Sequence, residues 1–172
     1  MVAAQRKLFA ETRGIEARTV YAGVGEGGDR SLVIDRKAEE IAFAELEGLH
    51  RAGADFTAIS EERGDVVFGD ADSAVRVVID PIDGSLNARR MLPSFALSVA
   101  IASGPSLADV ELAFVYDFGS GEEFTAEHGA GANLDGDGLL ARGPGYGLEL
   151  IGLEGTKPDR ILPLIDGLAG KA

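Results

Sequence analysis

Val75 to Ile79 form a near-continuous apolar run that leads straight into Asp80-Pro81-Ile82-Asp83-Gly84-Ser85. Such a run predicts a strand covered on both faces, and so a sheet interior. The hexapeptide is expected to end the strand at Asp80 and to turn the chain into a short helical turn, Leu86 to Arg90. Two acids three residues apart, with a proline fixing the backbone between them, can aim both carboxylates at one point just past the strand. Two such charges about 4 Å apart repel by roughly 4 kcal/mol at an effective dielectric of 20. A cation between them removes that cost, and hard oxygen ligands at this density suit magnesium, manganese or calcium rather than zinc. Gly84 permits close backbone approach and Ser85 is a favoured N-cap, so the amides that follow offer a site for a phosphate. An ordinary strand-to-turn corner also uses Asp, Pro and Gly for conformational reasons.

The neighbouring segments shift that balance. Val2 to about Glu11 reads as a short helix, Ser31 to Asp35 as a strand, and Arg36 to Arg51 as the clearest helix. The last places Ala38, Ile41, Ala42, Leu46 and Leu49 on one face, with Gly53 just beyond its end. Phe56 to Ser60 reads as a strand that delivers Glu61 and Glu62 at its end; Asp35 is expected at the end of another, as the N-cap of the long helix. Further strands are predicted at Phe95–Ala102, Val110–Tyr116, Glu123–Ala126 and the apolar run Leu148–Leu153, and a helix interrupted near Pro163 at Pro158–Leu168. The expected fold class is α+β, with a central, mostly antiparallel sheet flanked by helices, in one domain spanning residues 1–172. Three strand ends presenting carboxylates are what an open-sheet site would show.

Composition narrows the chemistry. The formal charge of −13 opposes a nucleic-acid backbone binder. The absence of cysteine excludes disulfides, thiolate zinc sites and cysteine nucleophiles, and only His50 and His128 could supply imidazole. No stretch has the length of a membrane-spanning helix and the first residues lack a signal-peptide core, so no membrane partner and a cytoplasmic location are expected. Gly23-Val24-Gly25-Glu26-Gly27-Gly28 satisfies GxGxxG, but it lies between a helical segment and a strand, the reverse of a dinucleotide fingerprint. Asp135-Gly136-Asp137 lacks the downstream glutamate of a calcium loop and reads as a hairpin turn that also holds an exposed His128.

The order of these motifs resembles the inositol monophosphatase superfamily: Asp29 to Asp35, then Ser60-Glu61-Glu62, then Asp80 to Ser85, then Phe95 to Ala102. Val115-Tyr116-Asp117 and Glu122 to Gly136 extend the likeness over nearly the whole chain. The run Ser85 to Pro93 is closer to prokaryotic inositol or fructose-bisphosphatase-like members than to the animal enzymes. The resemblance implies a layered α/β/α/β/α sugar-phosphatase fold, of which this chain would be the N-terminal portion. It also implies two or three magnesium ions, with manganese able to substitute. Glu61, Asp80 and the Ile82 carbonyl would hold the first, and Asp80 and Asp83 the second. The Gly84 and Ser85 amides, with Asp83 beside them, would cradle the phosphate. Ser85 hydroxyl, paired with Asp35, would help deprotonate the attacking water, assisted by Glu61, with Glu62 behind them.

The implied activity is hydrolysis of inositol monophosphate or a related small sugar phosphate, fructose 1,6-bisphosphate included, by a metal-activated water; a homodimer is compatible with it. The family's later Trp-Asp-like motif has no counterpart, since the chain has no tryptophan and nothing after Gly136 resembles it. A lysine often found ahead of the Asp35 position is also missing. The expectation is therefore a chain truncated before a C-terminal α/β domain. A non-catalytic metal-binding remnant and a nucleotide 3′-phosphatase are the alternatives. A haloacid-dehalogenase-like enzyme would need DxD after the strand, and the spacing here is DPID.

Overall fold

The computed structural model describes residues 1–24, 30–140 and 158–168, which fall into two units, Met1–Leu139 and Leu140–Ala172. The first unit opens with helices α1 (Val2–Glu11) and α2 (Gly14–Arg18), a strand pair β1 (Tyr21–Val24) and β2 (Arg30–Leu32), and the long helix α3 (Val33–Arg51). Strands β3 (Phe56–Ser60), β4 (Gly64–Phe68) and β5 (Arg76–Asp83) follow, then the short helix α4 (Ser85–Arg89). A meander of β6 (Ala96–Ala102), β7 (Val110–Asp117), β8 (Glu123–Glu127), β9 (Gly131–Leu134) and β10 (Asp137–Gly138) completes it.

Eight strands form one sheet in the order β10-β9-β8-β7-β6-β5-β3-β4. Every pairing in it is antiparallel except β3 with β5, so the α+β class with a mostly antiparallel sheet holds. The parallel exception positions the site. It aligns Thr57, Ala58 and Ile59 with Arg76, Val77 and Val78, so both strands deliver the residues after them to the same edge. Continuing that register by two residues sets Glu61 beside Asp80. The long helix returns to β3 through a tight turn, which puts its first turn, with Asp35, at that edge as well.

The helices cover one face of the sheet. Ala42, Phe43 and Leu46 of α3 pack on Phe56, Ala58, Val77, Ile79, Leu97 and Tyr116, where truncating a residue such as Leu46 to alanine costs about 2–5 kcal/mol. A second cluster joins Leu8 and Phe9 of α1, Leu32, Ile34 and Ala38 to Ile82 and Ala88 of the acidic corner. Phe9 meets Phe95 and Phe118 edge-on at 5.0 and 4.9 Å. The corner is therefore seated on core, with its backbone anchored by buried side chains on both sides of Gly84.

Several expectations change. Strand β5 is covered on one face only: Val77 and Ile79 are buried, whereas Val78 is 45% exposed, because the helices of this unit lie on the opposite face. It also continues past Asp80 to Asp83. Asp80 pairs with Ser98 and Asp83 with Ala96, so β5 carries one extra residue there. Such a bulge tolerates a proline, whose missing N–H would break a regular ladder. Val33 to Asp35 are helical rather than extended. Leu49 is exposed, and Phe43, not among the residues placed on that face, is buried. Strand β4 is an additional edge strand.

Asp135 and Gly136 have φ of +50° and +85° and join β9 to β10 as a two-residue hairpin turn. His128 is exposed as expected, but it lies in the turn before β9. The GxGxxG segment is flanked by the antiparallel strands β1 and β2, not by the strand and helix a dinucleotide needs; its residues 25–28 lie outside the described residues. So does Leu148–Leu153. In the second unit α5 (Pro158–Leu168) runs unbroken through Pro163, with Leu162, Leu164 and Ile165 exposed. Among the described residues no helix is long and apolar enough to cross a membrane.

Candidate active site

Asp35, Glu39, Glu61, Glu62, Asp80, Pro81, Ile82 and Ser85 line one cavity of about 140 Å³. Of the residues singled out from the sequence, Asp35, Glu61, Asp80, Ile82 and Ser85 are thus brought together. Asp83 and Gly84 are not part of this lining. Asp83 is exposed on the far side of the bulge, yet its charge still reaches Asp80.

Asp35 sits in the third position of α3, where its Oδ2 accepts the Leu32 N–H at 3.2 Å and closes the helix start. It caps the helix from inside, so Leu32 rather than Asp35 is the N-cap. Its other oxygen, Oδ1, is buried and has no hydrogen-bond partner among the described residues. Burial, followed by the charges of Glu62, Asp80 and Glu61, pushes its carboxyl from 3.8 up to about 6 against the Leu32 hydrogen bond. Asp80 accepts the Ile82 N–H on Oδ1 at 3.0 Å. Burial, then the charges of Asp83, Glu61 and Glu62, raise it likewise to about 6.

Gly84, with φ +83°, is the N-cap of α4, so the helix starts at Ser85, one residue earlier than the sequence suggested. Only glycine fits: a Cβ at position 84 would stand 2.9 Å from the Ser94 carbonyl oxygen. No described hydrogen bond links the Ser85 hydroxyl to Asp35.

Glu39 and Arg63 complete the site. Glu39 is 3% exposed, accepts the Ser60 hydroxyl, and faces the Arg63 Nε at 3.4 Å. Arg63 in turn lies 4.3 Å over the Phe43 ring. Burial raises the Glu39 carboxyl while Ser60 and Arg63 oppose the shift. This network fixes the turn that carries Glu61 and Glu62. Its sequence signal is simple: Glu39 lies four residues after Asp35, hence on the same helix face.

The donor set is all oxygen, its members repel one another, and one buried carboxylate oxygen has no partner among the described residues. Those are the features a hard divalent cation relieves. Among the described residues no three acidic or imidazole side chains are grouped closely enough to hold a metal ion as they stand.

The inositol monophosphatase family model matches residues 3–157. A fructose-1,6-bisphosphatase/inositol-1-monophosphatase from Archaeoglobus fulgidus is 33% identical over 132 residues, 77% of this chain and 48% of that protein. A Nus factor SuhB from Salmonella typhimurium is 38% identical over 103 residues, 60% of this chain and 36% of that protein. Among solved structures, an inositol monophosphatase-fructose 1,6 bisphosphatase superposes with a TM-score of 0.70 at 27% identity, covering 83% of this chain and 52% of the other. The chain spans about half the length of the first-named relative. With a family match over nearly all of its length and a mixed α+β fold shared with solved members, the chain belongs to the inositol monophosphatase family.

Proposed function

We infer that this chain is the metal- and phosphate-binding portion, residues 1–172, of a magnesium-dependent phosphomonoesterase acting on inositol monophosphate or a related sugar phosphate. The observation that carries this reading is the shared cavity in which Asp35, Glu61, Asp80, Ile82 and Ser85 meet, with a buried oxygen on Asp35 that has no partner among the described residues. Family membership supports a phosphatase; the ester and the metal are proposed from the site's residues.

In this reading Glu61, Asp80 and the Ile82 carbonyl oxygen hold one magnesium, and Asp80 and Asp83 another; manganese could replace them. Bound magnesium would supply the positive charge that offsets these acids and the phosphate oxygens, and would lower the pKa of a water it binds. The chain's own residues do the rest. Gly84 and Ser85 would present backbone amides to the phosphate at the start of α4. Asp35, which lines the same cavity, would accept a proton from the attacking water. The Ser85 hydroxyl orients that water. Glu39, held by Ser60 and Arg63, keeps the Glu61–Glu62 turn in place.

A second reading, a metal-binding module without turnover, draws on the open acid arrangement. Release of inorganic phosphate from inositol 1-phosphate and fructose 1,6-bisphosphate, with and without magnesium, separates the two. Magnesium-dependent release that Asp83→Asn abolishes supports the phosphatase. Magnesium binding at the corner with no release from either ester supports the module.

A further inference from the structure

Arg18, at the end of α2, is 7% exposed, yet its described partners are three backbone carbonyls rather than a carboxylate. Its Nε donates to Thr12 O at 2.8 Å, Nη2 to Phe9 O at 3.2 Å, and Nη1 to Ala88 O at 2.7 Å. The guanidinium also lies 5.4 Å from the Phe9 ring centroid. Burying a cation is costly unless its donors are satisfied, so a guanidinium committed to three carbonyls demands a structural reason. The third carbonyl supplies one, because Ala88 lies in α4.

That helix has five residues, too few to hold a shape by its own hydrogen bonds. Its position must come from contacts. At its C-terminal end the cation meets the Ala88 carbonyl, which also accepts the Met91 N–H at 3.3 Å, and complements the negative pole there. The Ala88 N–H donates to Gly84 O at 3.1 Å. Two hydrogen bonds therefore connect the Arg18 guanidinium to the peptide that begins the turn, through the single residue Ala88. On the other side of that turn, Gln5 of α1 is fully buried and donates its Nε2 to Pro81 O at 3.2 Å. The first eighteen residues thus grip the acidic corner by a carbonyl at each end.

We propose that Arg18 is a positioning residue for the Asp80–Ser85 corner, acting through the Ala88 carbonyl to set where the Gly84 and Ser85 amides point. This rests on reading that corner as the metal and phosphate site. Arg18→Lys keeps the charge but replaces a three-donor fork with a single ammonium that cannot span three carbonyls. Leu46→Ala, in the cluster away from the corner, serves as a control for general loss of stability.

The test uses the whole chain labelled with ¹⁵N. Without ligand, Arg18→Lys should shift the Gly84–Ala88 amide resonances and speed their exchange more than Leu46→Ala does. With saturating magnesium, its affinity for inorganic phosphate, measured on folded protein, should fall on the order of tenfold, since small misplacements of binding groups carry large penalties. Gly84–Ala88 amides that stay at their wild-type positions in Arg18→Lys would overturn the proposal.

If that variant does not fold, the wild type decides. Magnesium and phosphate should move the Arg18 Nε resonance together with Gly84 and Ser85 while the exposed Arg6 stays still; corner shifts with a static Arg18 would refute the coupling. A wild-type chain that binds no phosphate defeats the phosphatase reading, and the ligand-free amide positions still decide the role of Arg18.

Discussion

Replacing Asp80 by asparagine removes a charge and leaves the side chain's shape intact, including an oxygen able to accept the Ile82 N–H. In the metal-free protein that charge is a burden. The Asp80 carboxyl is raised from 3.8 to about 6 by burial and by three neighbouring acids. At about 1.4 kcal/mol per pH unit this caps the penalty near 3 kcal/mol. Asp80 is only half-buried, and solvent screening reduces the figure to about 1–2 kcal/mol. The sign follows from linkage. Between about pH 4 and pH 6 the folded protein keeps a proton that the unfolded chain has released, so this group's contribution is full below that window and lost above it. Urea denaturation in EDTA should therefore find Asp80→Asn more stable than wild type by about 1–2 kcal/mol near pH 7, and about equal near pH 4. Magnesium at about a hundred times its dissociation constant should add roughly 2.7 kcal/mol to the wild type and little to the variant. An Asp80→Asn protein less stable than wild type in EDTA near pH 7 would refute the reasoning.

Further substitutions probe the frame. Gly84→Ala forces a side chain into the left-handed region and against Ser94 O; denaturation should show a loss of about 2 kcal/mol or more, and phosphate affinity should fall with it. Met91 holds φ +62° just past the end of α4, where Leu92 N–H bonds Asn87 O and Met91 N–H bonds Ala88 O. Glycine suits that position, so Met91→Gly should raise the unfolding free energy by about 0.5–1 kcal/mol without altering magnesium affinity. Glu39→Gln keeps the Ser60 contact but weakens the Arg63 pair, and magnesium titration should show reduced affinity while the sheet's amide spectrum is retained.

The sequence made the acidic corner legible because its residues serve local chemistry: the strand, the proline, the glycine and the acids all lie within eleven positions. The amphipathic helix was legible from its period. The start of that helix was not, since Val33 and Ile34 favour extended backbone locally and become helical only because Ile34 sinks into the second cluster and Asp35 turns back onto Leu32. Strand β4 was missed because half of its side chains are exposed at the sheet edge. The one-sided burial of β5 escaped a reading in which a continuous apolar run implies cover on both faces. Glu39 was masked by lying in a run of charges, Arg36 to Glu40, that looks like a solvated face. Arg18 carried no signal, because its partners are backbone atoms up to seventy positions away.

Manganese gives the most direct test of a cation at the corner, because its unpaired electrons broaden nearby resonances. Titrated into the ¹⁵N-labelled chain, it should first erase the amides around Asp35, Glu61, Glu62 and Asp80–Ser85, and excess magnesium should bring them back. Broadening centred instead on outlying acids such as Glu45, Glu47 or Asp65, with the corner untouched, would contradict the account.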